Sequence, residues 1–486
     1  MSWTDDSLYQ RLPVRDGSYD GRFVVGVFST GIYCLPSCTA RKPKRENVRF
    51  FRRPEEAEAA GLRACLRCRP ELFYRGEDWD RSLFEGLLAR LRADPGAFHD
   101  IGSLAAACGV SGTKLNELVR EHAHLTPAML LRRERVRAAG ARLLAGRERV
   151  IEVGYAVGFE AESTFHRHFL GLTGMAPAAY RGLRESAGFL LQLPRGYRAG
   201  DPLSYHGRDP EGPAERIRDG QAILKPVRLP GAPAAVLEIA FEPEGAWCQV
   251  HGLDRPGRDV MAAAHATAVR LLGIGSDTAG LEGRAGRDPL VARLVEGRRG
   301  LRVPLAATPF EALTWAIVGQ QINVRFAVSL RRALVELAGR AVPGGGGLLV
   351  HPTPEAVAAL EPAELTKLRF SRSKAEYLVG MARRVADGSL PLDALGQGSA
   401  QAAEAALKAV RGLGPWTARY TLLRGFGFAD CAPVGDSGLG TGLQRFLGLA
   451  ERPDAKETDR LMAAFAPHRS LATCHLWASL NEVEEG

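Results

Sequence analysis

No stretch of the chain approaches the roughly 18 consecutive apolar residues that a membrane-crossing helix needs, so a helical membrane span is not expected. The opening residues, Met-Ser-Trp-Thr-Asp-Asp, lack both a basic n-region and an apolar h-region. No secretory signal is therefore expected, and the cytoplasm is the expected location. Charge of one sign is also scarce, since 64 Lys+Arg against 55 Asp+Glu leave only +9 on 486 residues. By section, residues 1–78 hold 14 basic and 11 acidic residues, 79–185 hold 15 and 12, and 186–486 hold 35 and 32. Each section is +3, so no tail supplies the excess, and contact with a polyanion has to be built into every section. No solenoid-type repeat is visible. Hydrophobic residues at 45% and charged residues at 24% exclude wholesale disorder. At 486 residues the chain is too long for one core, and three or four domains are expected.

Cysteine is sparse and uneven. Cys34, Cys38, Cys65 and Cys68 crowd the first section, while Cys108, Cys248, Cys431 and Cys474 stand alone. A Cys-x3-Cys pair followed by a Cys-x2-Cys pair supplies four ligands for one tetrahedral zinc, against the bland reading of four buried thiols. Between the pairs, residues 41–53 hold seven bases and one acid, a patch suited to a phosphate backbone.

Four sections are expected: 1–78, 79–185, 186–305 and 306–486. The first carries strand-like runs such as Arg22–Phe28. The second is helix-rich, with three- and four-residue apolar spacing over Leu83–Leu91 and Val136–Leu144. The third follows a Pro/Gly-rich stretch, Arg195–Pro213, and its alternating runs Ala234–Phe241 and Trp247–Leu253 predict strands of an α+β unit. The fourth is helical from Pro309. Its glycine run Gly344–Gly347 is expected to be a loop between helices.

Thr30-Gly-Ile-Tyr-Cys34-Leu-Pro-Ser-Cys38, Arg45-Glu-Asn-Val48 and Gly61-Leu-Arg-Ala-Cys65-Leu-Arg-Cys68 resemble the zinc module of the Ada methylation-response regulators. The resemblance implies that Cys34 takes a methyl group from a DNA phosphotriester and that Arg45 contacts DNA. Zinc would hold the sulfur as thiolate, the competent nucleophile. Methylation would turn an anionic ligand into a thioether, reduce the repulsion from phosphate and tighten DNA binding.

Leu104–Ser111 followed by Lys114–Leu118 reads as helix, turn at Gly109, helix. A second copy runs through Ile151–Phe159 and Glu162–Phe169, and a linker helix spans about Thr126 to Leu144. The pair resembles the AraC-type double helix-turn-helix domain. Recognition helices are expected from Thr113 and Ser163, with Lys114, Asn116, His166 and Arg167 as candidate DNA contacts. Surface histidines on a basic helix are the plain alternative for His166 and His168.

In the last section, Gly412-Leu-Gly414-Pro-Trp416 permits a tight hairpin able to hold a DNA phosphate. With Asp436 downstream and Gly319-Gln-Gln-Ile322 upstream, residues from about 188 to 480 resemble AlkA-type helix-hairpin-helix 3-methyladenine glycosylases. The resemblance implies Asp436 as the essential carboxylate and Trp416, Tyr420 and Trp477 as the base pocket. Trp416 stands where bifunctional relatives carry a lysine, so no Schiff base is expected. The wedge position falls on Gln321, with Ile322 beside it, a polar residue where an apolar plug is usual. The segment Ser437-Gly-Leu-Gly-Thr-Gly442 is expected to loosen the helix carrying Asp436. Asp436 as a helix cap and the aromatics as plain core are the structural alternatives. No Pro-Cys-His-Arg motif occurs, so repair of O6-alkylguanine is not expected.

The expected protein is multidomain α+β: a small zinc module, an all-α double helix-turn-helix, an α+β domain and an all-α helix-hairpin-helix domain. Its expected work is hydrolytic release of alkylated purines, methyl transfer to Cys34 and activation of transcription. The alternative is a methylation-triggered regulator whose last section only binds DNA. The resemblance implies zinc as cofactor, alkylated and promoter duplex DNA as partners, RNA polymerase as a further partner, no membrane partner and a monomeric state.

Overall fold

A computed structural model describes residues 4–481. The chain divides into two compact units between Gly86 and Leu87.

The first unit is built on a four-stranded sheet in the order β3-β1-β2-β4, with β1 Val24–Val27, β2 Ile32–Cys34, β3 Val48–Phe51 and β4 Arg63–Ala64. Alternate β1 side chains face opposite sides. Val25 packs with Leu8, Phe23 and Val48, while Val24 packs with Tyr33, Ala57 and Leu62. Strand β1 pairs antiparallel with β2 and β3, but β2 pairs parallel with β4, through Ile32 with Arg63 and Tyr33 with Ala64. That parallel pairing sets the ends of both strands side by side, so Cys34 and Cys65 leave the sheet at the same edge.

The second unit begins with helices. Helix α1 Ile101–Cys108 is capped by Asp100, and α2 Gly112–Ala123 is capped by Ser111; Gly109 turns between them at φ +65°. The long α3 Pro127–Ala145 leads to α4 Val150–Ala156 and α5 Glu162–Thr173. Phe165 and Phe169 of α5 pack with Val136, Ala139 and Leu143 of α3, so the second helix pair is fastened to the linker helix.

A five-stranded antiparallel sheet follows, in the order β5-β9-β8-β7-β6. The strands are β5 Gly188–Leu191, β6 Arg216–Arg218, β7 Ala222–Arg228, β8 Ala234–Glu242 and β9 Gly245–His251. Helix α6 Gly200–His206 precedes β6, and α7 Arg258–Leu271 covers the sheet through Val260, Met261, Ala264 and Ala268.

The helical bundle then surrounds α8 Pro309–Gly319, whose residues from Phe310 to Val318 are all buried. Around it lie α9 Val324–Ala338, α10 Arg372–Ala386, α11 Ala400–Lys408, α12 Pro415–Thr421, α13 Ser437–Leu447 and α14 Arg469–Asn481. Helix α12 continues into a π-helical turn, Leu422–Phe426.

Two expectations need correction. The glycine run at 344–347 does not join helices. It turns between the short strands β10 Arg340–Ala341 and β11 Leu349–Val350, because Val342, Leu348 and Val350 pack on Ala234 and Val236 of β8. The glycines after Asp436 do not loosen α13, which is regular from Ser437 to Leu447. They are there for contact. A Cβ at Gly442 would lie 3.0 Å from the Leu476 carbonyl oxygen and 3.1 Å from its Cβ, so Gly442 lets α13 lie directly against α14, while Gly440 makes room for the Arg452 side chain.

The helix-turn-helix section shares polar contacts with the bundle, through His122 and His124, and with the helix covering the five-stranded sheet, through Thr173. His122 Nδ1 and Ser399 Oγ, the cap of α11, lie 2.8 Å apart. The Asp430 backbone N–H donates to His124 Nδ1 at 3.1 Å, and the His265 Nε2–H donates to the Thr173 carbonyl at 2.7 Å.

Candidate active site and metal centre

In the first unit the Cys65 N–H donates to the Tyr33 carbonyl at 2.9 Å, next to Cys34, and the Leu35 N–H points at Cys68 Sγ at 3.3 Å. The four sulfurs of Cys34, Cys38, Cys65 and Cys68 lie within 4.8 Å of one another. A tetrahedral zinc with Zn–S near 2.3 Å needs sulfurs roughly 3.8 Å apart, so the set fits zinc. Four thiols at this spacing cannot ionise together without a cation between them. A cavity of about 340 Å³ opens beside Cys34 and Cys38, and its rim carries the exposed bases Arg15, Arg41 and Lys42. Arg45 is half-buried. Its Nε donates to Asp6 Oδ1 at 2.8 Å, and an Nη1–H donates to the Val48 carbonyl at 3.2 Å.

On the second helix pair, Arg167 is exposed and His166 lies 3.8 Å from Glu162 on the same face of α5. Asn116 is exposed on α2 and accepts from Arg120 Nε at 3.1 Å, while Lys114 is half-buried.

In the bundle, Gly412 carries φ +88°, and a Cβ there would lie 2.2 Å from the Tyr377 ring. No other residue fits this turn. The Gln320 amide donates to the Gly412 carbonyl at 2.9 Å and to Thr417 Oγ1 at 3.0 Å, tying the hairpin to the end of α8. Gly414 is exposed, with open space around it, and Lys408 and Arg411 are exposed beside it. Next in sequence to Gln320, Gln321 is exposed in the left-handed region at φ +55°, with Ile322 half-buried. Backbone strain of this kind in a non-glycine residue persists where the surroundings enforce it.

Asp436 caps α13 and accepts from the Leu439 N–H at 2.8 Å. The cap reading of this residue is thus correct, but it is only part of the arrangement. Trp416 Nε1 donates to Oδ2 at 3.1 Å and Trp477 Nε1 donates to Oδ1 at 3.0 Å. Both indoles therefore grip the one carboxylate. Ring centroids of Trp416 and Tyr420 are 5.6 Å apart, and those of Tyr420 and Trp477 are 6.3 Å apart. Tyr420 is buried, and burial pushes its phenol above the usual range, so it stays a neutral group. Trp416 and Trp477 are only half-buried. All four residues line a cavity of about 1160 Å³ together with Gln321, Ile322, Gly412 and Gly414.

Four further residues line this cavity and carry no sequence motif: Tyr205, Arg208, Trp315 and Arg424. The Arg208 guanidinium lies 4.2 Å from the Trp315 ring and 4.3 Å from Tyr205; that of Arg424 lies 4.3 Å from Tyr205 and 5.2 Å from Trp477. The wall is thus an alternating stack, Trp315–Arg208–Tyr205–Arg424–Trp477. Its base is rigid. His206, beside Tyr205, shares a 3.1 Å hydrogen bond with Glu215 and another of 3.2 Å with the Leu271 carbonyl. Glu215 in turn pairs with Arg331 of α9 at 2.8 Å, and Lys225 of β7 pairs with Glu311 of α8 at 2.7 Å.

Comparison with known proteins places these features in a family. Residues 7–71 match the metal binding domain of Ada, residues 104–182 a helix-turn-helix domain, and residues 314–468 the HhH-GPD superfamily of base excision DNA repair proteins. The DNA-3-methyladenine glycosylase of Bacillus subtilis is 35% identical over 194 residues, 40% of this chain and 64% of that protein. A solved structure, the 3-methyladenine DNA-glycosylase from Archaeoglobus fulgidus, superposes with a TM-score of 0.53 at 21% identity, over 60% of this chain and 97% of that one, and so shares its fold. The probable bifunctional transcriptional activator/DNA repair enzyme AlkA of Mycobacterium tuberculosis is 31% identical over 490 residues, 98% of this chain and 96% of that protein. With a zinc-type cysteine cluster, a double helix-turn-helix and a helix-hairpin-helix bundle in one chain, this protein belongs to the AlkA-type bifunctional transcriptional activator/DNA repair enzymes.

Proposed function

We propose that the bundle excises alkylated purines of the 3-methyladenine type from duplex DNA by hydrolysis, with Asp436 as the catalytic carboxylate. The observation that carries this reading is the position of Asp436: it sits in the cavity wall with one carboxylate oxygen held by each of two aromatic side chains. A base taken out of the stack would enter between Trp416, Tyr420 and Trp477. Alkylation at N3 or N7 makes a purine cationic, and electron-rich ring faces attract cations by roughly 0.5–2 kcal/mol. As the bond to C1′ breaks, positive charge develops on the sugar, and the fixed anion of Asp436 meets it without reorganisation. Water then adds to C1′ and leaves an abasic site. Gln321, strained and exposed at the cavity edge, fills the gap in the duplex, with Ile322 packed behind it. The Gly412–Gly414 hairpin, flanked by Lys408 and Arg411, holds a phosphate and carries no sequence information.

In the first unit Cys34, Cys38, Cys65 and Cys68 hold zinc, which keeps the cysteines as thiolates at neutral pH. Cys34, the acceptor that the resemblance to Ada implies, borders the basic cavity together with Cys38, and its sulfur attacks the methyl carbon of a phosphotriester brought there by Arg15, Arg41 and Lys42. A sulfur–carbon bond forms, the carbon–oxygen bond breaks and an anionic diester leaves, once per molecule. Helices α2 and α5 read promoter DNA through Lys114, Asn116, His166 and Arg167, and a bound monomer recruits RNA polymerase. We take 1–78, 79–185, 186–305 and 306–486 as the four working sections.

The test of the main reading is base release from methylated duplex DNA. The wild-type protein should release 3-methyladenine and Asp436→Asn should not; release by neither would favour the alternative in which the last section only binds DNA, and equal release by both would contradict the role of Asp436.

A further inference from the structure

Helix α8 ends without the usual glycine closure. It runs into Gln320 in the extended region, at φ −55° and ψ 127°, and the left-handed position falls one residue later, on Gln321. The Val318 carbonyl is met by a side chain from another helix: Lys374 Nζ of α10 donates to it at 2.7 Å. Lys374 is buried, and no carboxylate lies within ion-pair distance of it among the described residues. Burial holds its ammonium below the usual lysine value. A buried cation without a counter-ion is costly; what this one faces is the negative end of the α8 dipole. Three residues on, and so on the same side of α10, the Tyr377 ring lies against Gly412 of the hairpin. Helix α10 thus touches both the end of α8 and the hairpin, which the Gln320 amide joins directly.

We propose that Lys374 is a positioning residue for extrusion of the target nucleotide: its ammonium pins the last turn of α8 through Val318 and so fixes where Gln321 stands relative to the Gly412–Gly414 hairpin. This inference rests on the glycosylase reading above. Extrusion breaks a base pair and two stacking contacts, and Gln321 offsets part of that loss only if it enters the gap while the hairpin holds the phosphate. Both must therefore be set at their working separation before DNA arrives. Without the ammonium the Val318 carbonyl has no partner, the last turn of α8 frays, and Gln321 shifts against the hairpin. Asp436 stands on α13 and does not depend on this contact, so the step affected is extrusion and not bond cleavage. A target that has no partner base costs less to extrude, and its excision depends correspondingly less on Lys374.

The experiment uses the full chain, saturating and in a single turnover, on two duplexes that each carry one 7-methylguanine, paired with cytosine in one and opposite an abasic-site analogue in the other. Wild type should release the base from both. In Lys374→Met, which keeps an unbranched stem but lacks the ammonium, the ratio of the paired to the unpaired rate should fall by at least about tenfold. Lys374→Gln, uncharged and shorter by one bond, serves if the methionine variant does not fold. Gln321→Gly should show the same fall, and adding Lys374→Met to it should lower the ratio no further, since no side chain is left to position. An unchanged ratio in a folded Lys374 variant or in Gln321→Gly overturns the proposal and leaves the glycosylase reading intact, whatever happens to the melting temperature. So does a further tenfold fall in the double variant. Release from neither duplex by wild type overturns the glycosylase reading, and the proposal with it.

Discussion

The indole N–H of Trp416 donates to Asp436 Oδ2 at 3.1 Å, so the residue at the mouth of the hairpin also aims the carboxylate. A helix-capping bond from Leu439 and a second indole, Trp477, complete the set of donors. Trp416→Phe keeps a ring against Tyr420 but removes one donor. Single-turnover excision should slow by about tenfold, less than the loss of a full oxyanion donor because the other two bonds remain. Equal rates would show that the indole serves packing alone.

The close approach of α13 to α14 gives a stability prediction. Gly442→Ala puts a methyl against the Leu476 backbone, 3.0 Å from its carbonyl oxygen. Overpacking of this kind costs about 1–3 kcal/mol. Thermal melting should drop accordingly, and excision should fall as well, since α13 carries Asp436 at its first turn and α14 carries Trp477. A melting temperature equal to wild type would show that the two helices can move apart freely.

Acid should loosen the joint between the helix-turn-helix section and the rest of the second unit. Burial lowers His124 and His265 each to about 4, from an ordinary value near 6.5. The Asp430 N–H donates to His124 Nδ1, a bond that protonation of that nitrogen destroys. Asp430 favours the charged form of His124, while Arg469 and His122 oppose it. Because the folded values lie below the unfolded one, the unfolded chain binds more protons between about pH 6.5 and 4, so stability is complete above that window and declines through it as pH falls. Each histidine can remove up to about 3 kcal/mol by pH 4. Protection factors at α2 and at the start of α11, taken against the intrinsic exchange rate at each pH, should fall over this window and not between pH 7 and 8. Protection factors constant from pH 7 to 4 would contradict the assignment.

The zinc module should behave as metal-dependent. A strong chelator should unfold the first unit, seen as loss of protection in β1 and β2, because the binding free energy of a structural zinc is folding free energy. Incubation with methylphosphotriester DNA should add one methyl mass to the peptide bearing Cys34, and Cys34→Ser should abolish it. Label on Cys38, Cys65 or Cys68 instead would move the acceptor.

The sequence exposed the features that local spacing or a resemblance can encode. The two cysteine pairs, Asp436 and the aromatics at 416, 420 and 477 fall into one metal cluster and one cavity, as their motifs imply. Helices α2, α3 and α5 begin within a residue of their expected starts because Ser111, Thr126 and the turn before Glu162 are local signals. Non-local features were hidden. Tyr205 comes from the last turn of α6 and Arg208 from the residues just after it, Trp315 from α8 and Arg424 from a π-helical turn, and nothing in any of these stretches announces the stack they form together. The glycines at 438–442 were misleading for the same reason: Gly442 meets Leu476 and Gly438 meets Trp477, each more than thirty residues away.

The most direct test of the central claim is the rate at which abasic sites appear in methylated duplex DNA, measured in a single turnover for wild type and for Asp436→Asn. The asparagine keeps the shape and can still cap α13, but it carries no charge. If the anion stabilises the cationic sugar, the variant should be slower by about 10²-fold or more while still binding DNA. Equal rates in the two proteins would contradict the account.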